Sequence, residues 1–373
     1  MAAAVVLMAW IYVVWGDDHA DIGLYHSYAM AAFTTHGAHR LPVEYPILAL
    51  LPFALTLLPA PDYGVAFVAA MAALVLATFI VVWRCVRPDR ARAFVLYLLL
   101  AGPWLLFGRF DLFPALVVLL ATIAATANRR LVAYALLATG VLLKLYPLVL
   151  LPLFVIDQRR AGEGYASTAA GVALFGAIVA AGVAASALLD PSAVLSPITY
   201  AVSRPVEAES LPATVLWLLS GFHSPGDVAH SFNSVNVVSS GAPAVVAAFG
   251  LAAVVGLVAV YALQLAGRLS LRAACIAALL VVILCNRVFS AQYMVWVVPL
   301  VALEIGISPL WIGVLLLTIL EYPTLYSLAG LSDSDTATTF AWAFLLVVAL
   351  RNVLLVAALT RIAVTDARSF SDR

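Results

Sequence analysis

The chain holds one lysine, Lys144, set in the apolar stretch Gly140-Val-Leu-Leu-Lys144-Leu-Tyr-Pro147. An ammonium in such surroundings is costly and calls for an anion. A substrate phosphate would serve, and so would the carboxylate of Asp111 or Glu44; the two readings stand level. Asp21, in Asp21-Ile-Gly-Leu-Tyr25, follows the first apolar run by a few residues. There a carboxylate could take a proton from an acceptor hydroxyl as a general base. It could equally cap the helix that follows, and position alone favours the cap. Asp17 and Asp18 lie closer to the run and read as solvated boundary charges.

Glu44-Tyr45-Pro46 suits a helix start with proline in the first turn. Arg109 and Asp111, two residues apart in Gly108-Arg-Phe-Asp111, suit a local network in which each binds the other's neighbours. Arg204 precedes Pro205, Glu207 and Glu209, and Arg287 opens Arg287-Val-Phe-Ser290-Ala-Gln292-Tyr293. Arginine at such places holds a phosphate through two parallel hydrogen bonds or anchors a helix end to lipid headgroups. Convergence of Lys144, Arg204 and Arg287 on one face would favour the phosphate. The six histidines (His19, His26, His36, His39, His223, His230) show no H-E-x-x-H spacing, so no metal is expected. There is no P-loop and no G-x-G-x-x-G, which argues against nucleotide hydrolysis. Cys275 and Cys285 are ten residues apart on one predicted helix, about 15 Å, too far for a disulfide.

The elements that must position these residues are membrane helices. The sequence is 65% hydrophobic and 10% charged, with a mean hydropathy of +1.10, against about 25% charged in soluble domains. The net charge of zero argues against a nucleic-acid partner. The apolar runs are continuous rather than alternating, which favours helices over a transmembrane barrel. Spans are predicted at 2–15, 63–84, 93–107, 111–127, 131–144, 145–156, 168–189, 242–266, 271–287, 289–304, 307–328 and 337–362, about twelve in one all-α polytopic domain. The first follows Met1 directly with no basic flank, so it reads as a short span; a cytoplasmic segment clipped upstream is the alternative.

Two choices set the topology. Pro46–Pro59 is apolar but only fourteen residues long, which suits a re-entrant or interfacial helix better than a span. The segment 131–156 has basic flanks at both ends, Arg129-Arg130 and Arg159-Arg160, and so should go up and come back. Proline 147 places the break at Lys144. Such a turn would lie below the surface in a cavity, since irregular backbone must be shielded from lipid. Arg84, Arg87, Arg90, Arg92, Arg129, Arg130, Arg159, Arg160, Arg268, Arg272, Arg361, Arg368 and Arg373 then fall in the cytoplasm, as the positive-inside rule asks, with both termini. Arg351 sits inside the last helix. The outer face receives Arg40, Arg109, Lys144, Arg204, Arg287, the histidines and acids including Asp333 and Asp335, carried mainly by loops 16–62 and 190–241. Residues 1–189 read as the catalytic module and 242–373 as C-terminal helices.

Taken in order, these motifs resemble glycosyltransferase family 87. Asp21-x-x-x-Tyr25 after a short span and Glu44-Tyr45-Pro46 before an apolar helix look like the family's start. Arg109-Phe-Asp111-Leu-Phe-Pro and Gly140-Val-Leu-Leu-Lys144-Leu-Tyr146-Pro147 are similar to its middle, and Ser290-Ala-Gln292-Tyr293-Met-Val-Trp296 to its late motif. The chain has Tyr45-Pro46-Ile47 and Gly108-Arg-Phe-Asp111 where the family often has Tyr-Pro-Pro and Gly-Gln-x-Asn.

The resemblance implies a GT-C fold and a transferase in the cell membrane that moves a sugar, mannose foremost, from a polyprenyl-phosphate carrier. The acceptor would be a glycolipid or polysaccharide on the outer face, with inversion and no metal or other cofactor. It implies Asp21 as the base and Lys144 beside the carrier phosphate, where Arg204 and Arg287 are expected to join it on the reading of the arginines given above. Tyr25, Glu44, Tyr45, Arg109, Asp111, Tyr146, Gln292 and Tyr293 are expected in supporting or acceptor contacts. An arabinofuranose or glucose donor is the alternative within this fold. A lipid-linked sugar flippase, since broken helices also occur in transporters, and an assembly scaffold are the alternatives outside it.

Overall fold

A computed structural model describes residues 1–15, 20–33, 41–58, 62–85, 88–329, 331 and 341–369. The expectations for Asp17, Asp18, His19, His36, His39, Arg40, Arg87, Asp333, Asp335 and Arg373 fall outside these residues. The chain packs as two compact units. One comprises Met1–Ser203 with Val298–Gly306, the other Arg204–Val297 with Ile307–Arg373.

The first unit contains α1 (Ala2–Trp15), α2 (Ala20–Phe33), α3 (Leu50–Leu55), α4 (Tyr63–Cys85), α5 (Pro88–Phe107), α6 (Leu112–Thr126), α7 (Arg130–Leu143), α8 (Leu151–Arg160), α9 (Tyr165–Leu189) and α10 (Ser196–Ser203). Helix α6 packs against α7, α7 against α9, and α1 and α5 against α4. The apolar stretch after Glu44-Tyr45-Pro46 holds less regular helix than expected. A 3-10 turn at Ile47–Ala49 leads into α3, and the Thr56 hydroxyl donates back to the Phe53 carbonyl at 2.8 Å.

The chain doubles back between α7 and α8. Lys144 is extended (φ −158, ψ 141), and Pro147, which lacks an N–H and would clash with a carbonyl four residues back, prevents the helix from continuing. At the foot of this hairpin Arg130 donates to Asp157 at 2.7 Å and to Glu163 at 2.6 Å. One turn up, the Tyr134 hydroxyl donates to Gln158 Oε1 at 3.0 Å. Near the tip a Cβ on Gly140 would stand 3.3 Å from Pro147 Cγ, so glycine is what lets the legs approach.

The second unit contains α11 (Leu211–Leu219), α12 (Ala242–Leu265), α13 (Leu271–Cys285), the start of α14 (Met294–Glu304), α15 (Pro309–Ile319), α16 (Tyr326–Leu328) and α17 (Trp342–Ser369). The α15 helix breaks at Tyr322 (φ −126, ψ 125), just before Pro323. The all-α expectation needs one correction. Strands β1 (Val206–Glu207), β2 (Asp227–Ser231) and β3 (Ser234–Val238) form an antiparallel sheet in the order β1-β3-β2. Val228 faces Val237 and His230 faces Val235 across the hairpin. Its two-residue turn, Phe232-Asn233, has positive φ at both positions (56 and 51), the geometry that matches strand twist. The usual Asn-Gly signal is absent, which hides the hairpin in the sequence. Val206, Val235 and Val237 pack under Trp217, Phe344 and Leu345.

Among the described residues six helical stretches are long and apolar enough to cross a membrane: Tyr63–Cys85, Asp89–Phe107, Tyr165–Leu189, Ala242–Leu265, Pro309–Leu328 and Trp342–Val364. In the most apolar windows of α9 and α12 only 11% of residues are buried. Water would not tolerate such faces, so lipid is their solvent. The protein is a multi-pass membrane protein. Five shorter apolar helices, including α6 and α7, complete the set.

Candidate active site

Between α5 and α6 the four residues Gly108-Arg109-Phe110-Asp111 turn the chain, and this turn organises the first unit's polar residues. Arg109 Nη1 pairs with Asp21 Oδ2, reaching to the first turn of α2. Asp111 Oδ1 accepts from Lys144 Nζ at 2.5 Å, reaching to the tip of the α7–α8 hairpin. Asp111 is 1% exposed, whereas Asp21, Arg109 and Lys144 keep 13–15% of their side-chain surface open. Of the two readings for Lys144, the carboxylate pair is the one formed here, and its partner is Asp111 rather than Glu44. Gly108 is required sterically, since a Cβ there would come within 2.6 Å of the Tyr12 hydroxyl and 3.1 Å of the Trp104 carbonyl.

Phe110, between the two ion pairs, builds an aromatic wall. It meets Tyr25, Tyr45 and Phe53 edge-on at 5.6, 4.9 and 5.1 Å, and Tyr25 stacks on Phe53 at 4.3 Å. Lys144 Nζ lies 5.5 Å from the Tyr45 ring and 5.3 Å from the Phe110 ring, within cation–π range. The Tyr25 hydroxyl donates to Asp21 Oδ2 at 3.4 Å. Burial, followed by Tyr45 and the charge of Asp111, pushes that hydroxyl well above its ordinary range, so it stays a proton donor. Tyr146 is buried by the hairpin tip. Glu44 accepts from the Tyr28 hydroxyl; burial and then Glu44 itself hold that phenol protonated. A helix start does follow Glu44-Tyr45-Pro46: Pro46 is the N-cap of the 3-10 turn at Ile47–Ala49, with no side-chain cap.

An apolar groove of about 600 Å³ opens between α3 and α4, with Pro52, Leu55, Ala66, Ala70, Leu74 and Phe113 in its walls. Phe113 is two residues from Asp111 in the sequence. His26 stacks on Tyr63 at 4.5 Å, and among the described residues no three His, Cys, Asp or Glu side chains gather as metal ligands.

Arg204 and Arg287 lie in the second unit and meet there. Arg287 Nη1 donates to the Arg204 carbonyl at 3.3 Å, and the Glu207 N–H donates to the Arg287 carbonyl at 2.9 Å. Arg204 Nη2 donates to Ser234 Oγ at 2.9 Å and to Glu207 Oε1 at 3.3 Å. Gln292 accepts from the Ser290 hydroxyl at 2.8 Å, and Tyr293 stacks on Trp296 at 4.0 Å.

The family model of glycosyltransferase family 87 matches residues 44–290, more than half of the sequence. The chain belongs to glycosyltransferase family 87. It is therefore a membrane glycosyltransferase. No curated protein and no solved structure matches it. Within this family 87 chain the matched stretch takes in Glu44, Tyr45, Arg109, Asp111, Lys144, Tyr146, Arg204 and Arg287. Asp21, Tyr25, Gln292 and Tyr293 lie outside it. Asp21 and Tyr25 are nonetheless bound to the matched part, through the Arg109 ion pair and the Phe110 ring.

Three polar residues with no role in the sequence reading stand out in the structure: Glu209, Glu321 and Asn352, gathered around Arg351. The sequence carried a signal for two members of this group. Glu321 and Arg351 each interrupt an apolar run, and charges at such depth are rarely idle.

Proposed function

We propose that this family 87 enzyme transfers a sugar, mannose foremost, from a polyprenyl-phosphate carrier to a hydroxyl of a glycolipid or glycan at the outer face of the plasma membrane. The observation that carries the reading is the 108–111 turn, which ties a partly open carboxylate, Asp21, and a partly open ammonium, Lys144, to adjacent ends of one short segment. An inverting transfer needs this pairing of base and cation. Asp21 takes the proton of the acceptor hydroxyl while its oxygen attacks the sugar C1. The C1–O bond to phosphate breaks, and the polyprenyl phosphate leaves with the electron pair. Arg109 orients Asp21 through their ion pair, and the Tyr25 hydroxyl helps fix the carboxylate plane.

Lys144 takes up the charge that develops on the leaving phosphate, competing with Asp111 for it; fixed cations aimed at such charge are the strongest catalytic device available to a dry site. In the second unit Arg204 and Arg287 offer cationic donors of the kind that hold a phosphate. The apolar groove between α3 and α4 suits an isoprenoid tail, because its walls offer methyl and methylene groups. Glu44 and Tyr28 suit an acceptor hydroxyl. The test is transfer of labelled sugar from a polyprenyl-phosphate donor by purified protein and by Asp21→Asn. Undiminished transfer by folded Asp21→Asn rejects the assignment, and lipid translocation without a new glycosidic bond would establish the flippase instead.

A further inference from the structure

Three side chains outside the proposed chemistry are sealed in the second unit: Glu209 is 5% exposed, and Glu321 and Arg351 are at 0%. Arg351 pairs with Glu321 through Nη1 and donates to the Glu209 carbonyl through Nη2. Its guanidinium lies 4.0 Å over the Phe289 ring. Asn352 adds hydrogen bonds to Thr214 Oγ1 at 3.0 Å and to the Glu209 carbonyl at 3.4 Å. The Glu209 carboxyl in turn accepts from the Ala291 N–H at 2.9 Å. One buried point therefore ties together the 204–210 segment, the 287–291 turn and α17. The first two of these carry Arg204 and Arg287.

The charges at this point do not balance. Two carboxyl groups face one guanidinium, and burying an uncompensated negative charge is far costlier than keeping a proton. Glu321 has the arginine, while the Glu209 carboxyl is held by the Ala291 N–H and has no cation of its own paired to it among the described ion pairs. The proton therefore belongs on Glu209, whose Oε2 accepts from Ala291. Burial, then the neighbouring Glu321 and Glu207, pushes the Glu209 carboxyl well above the usual carboxylate range, and Arg351 opposes this only in part.

We propose that Glu209 is a positioning residue which, as a neutral hydrogen-bonding acid, fixes the 287–291 turn and so the spacing of Arg204 and Arg287. That the two arginines receive the donor phosphate rests on the function proposed above; the strut itself does not. Its chemistry makes an unusual prediction. Glutamine has the length and the donor–acceptor pair of a neutral acid, whereas aspartate keeps the acid and loses the reach.

The experiment compares Glu209→Gln with Glu209→Asp on detergent-purified, folded protein. It reads amide hydrogen exchange across 288–293 and, separately, kcat and KM for the polyprenyl-phosphate sugar. Glu209→Gln is expected to match wild type in exchange and to keep the donor KM within about twofold. Glu209→Asp is expected to speed exchange at Ala291 and to raise donor KM about tenfold, the worth of one hydrogen bond, with kcat changed less. Glutamine as damaging as aspartate, or aspartate without effect on exchange, overturns the proposal. Should Glu209→Asp not fold, the glutamine variant decides alone, since a charge-dependent role predicts its failure. Exchange that responds while donor KM does not overturns the link to the arginines. It leaves transfer itself, tested through Asp21, unaffected.

Discussion

The two units hold their charges in opposite ways. Around the 108–111 turn two acids meet two bases, Asp21 with Arg109 and Asp111 with Lys144, and three of the four keep part of their surface open. Around Arg351 two acids meet one base, and Glu321 and Arg351 have no exposed surface. A balanced, open set can exchange one partner for a substrate without leaving a charge stranded. A sealed set with an odd proton can only hold its shape. The contrast separates residues that act on substrate from residues that keep others in place, although both look like ion pairs inside a membrane protein.

The largest expected effect tests the open set. Asp21→Asn should lower the transfer rate by a factor of about 10²–10⁴, the range for a lost general base, with folding intact by size exclusion. By contrast the sealed set should tolerate the same acid-to-amide change at Glu209, so a dead Glu209→Gln enzyme would erase the distinction. Next comes Lys144→Met, which strands Asp111 in a buried site and should cost about 3–5 kcal/mol in thermal or denaturant unfolding. Adding Asp111→Leu should restore most of that stability and none of the activity. Recovery of transfer in the double variant would show that Lys144 serves structure alone. A smaller change is Gly108→Ala, whose new Cβ meets the Tyr12 hydroxyl; overpacking of this kind costs about 1–3 kcal/mol. Both ion pairs hang from that turn, so transfer should fall with stability.

The smallest effect is in pH. In the first unit the hydrogen bond from Arg130 draws the Glu163 carboxyl below its ordinary range; burial opposes it, and Gln158 and Ser167 help. Its contribution is present above the unfolded value and is lost as pH falls through the folded one. Glu209 is shifted the other way, so its contribution is present below the ordinary carboxylate range and fades as pH rises toward its raised value. Unfolding followed by probes in each unit should show the first weakening on the acid side and the second on the alkaline side. Glu163→Gln should flatten the former and Glu209→Gln the latter.

Much of this arrangement was legible in the residues. Basic flanks on both sides of 131–156, with Pro147 between them, predicted a chain that doubles back at Lys144, and the Arg130–Asp157 and Tyr134–Gln158 contacts close that hairpin. The two-residue spacing of Arg109 and Asp111 suggested a local network, whereas each pairs with a residue distant in sequence, Asp21 and Lys144. What stayed hidden depends on residues distant in sequence. The Glu209–Ala291 and Arg351–Glu209 contacts join positions 82 and 142 residues apart, and no local pattern announces them. The small sheet escaped because its turn, Phe232-Asn233, reaches positive φ without glycine. Helix ends read from hydrophobicity also ran short of those set by packing: α5 starts at Pro88 and α17 continues to Ser369.

The hairpin of α7 and α8 has a consequence for length rather than for residue type. Its legs are pinned together at the foot by Arg130, Asp157 and Glu163, and Lys144 sits at the far end of the first leg. The height and heading of the ammonium are therefore set by counting residues from the pin. One residue inserted in α7 would raise Lys144 by about 1.5 Å and swing it by about 100°, away from Asp111 and the Phe110 ring. The leg works as a ruler, and chain length between Arg130 and Lys144 is as much a part of the site as the lysine it carries.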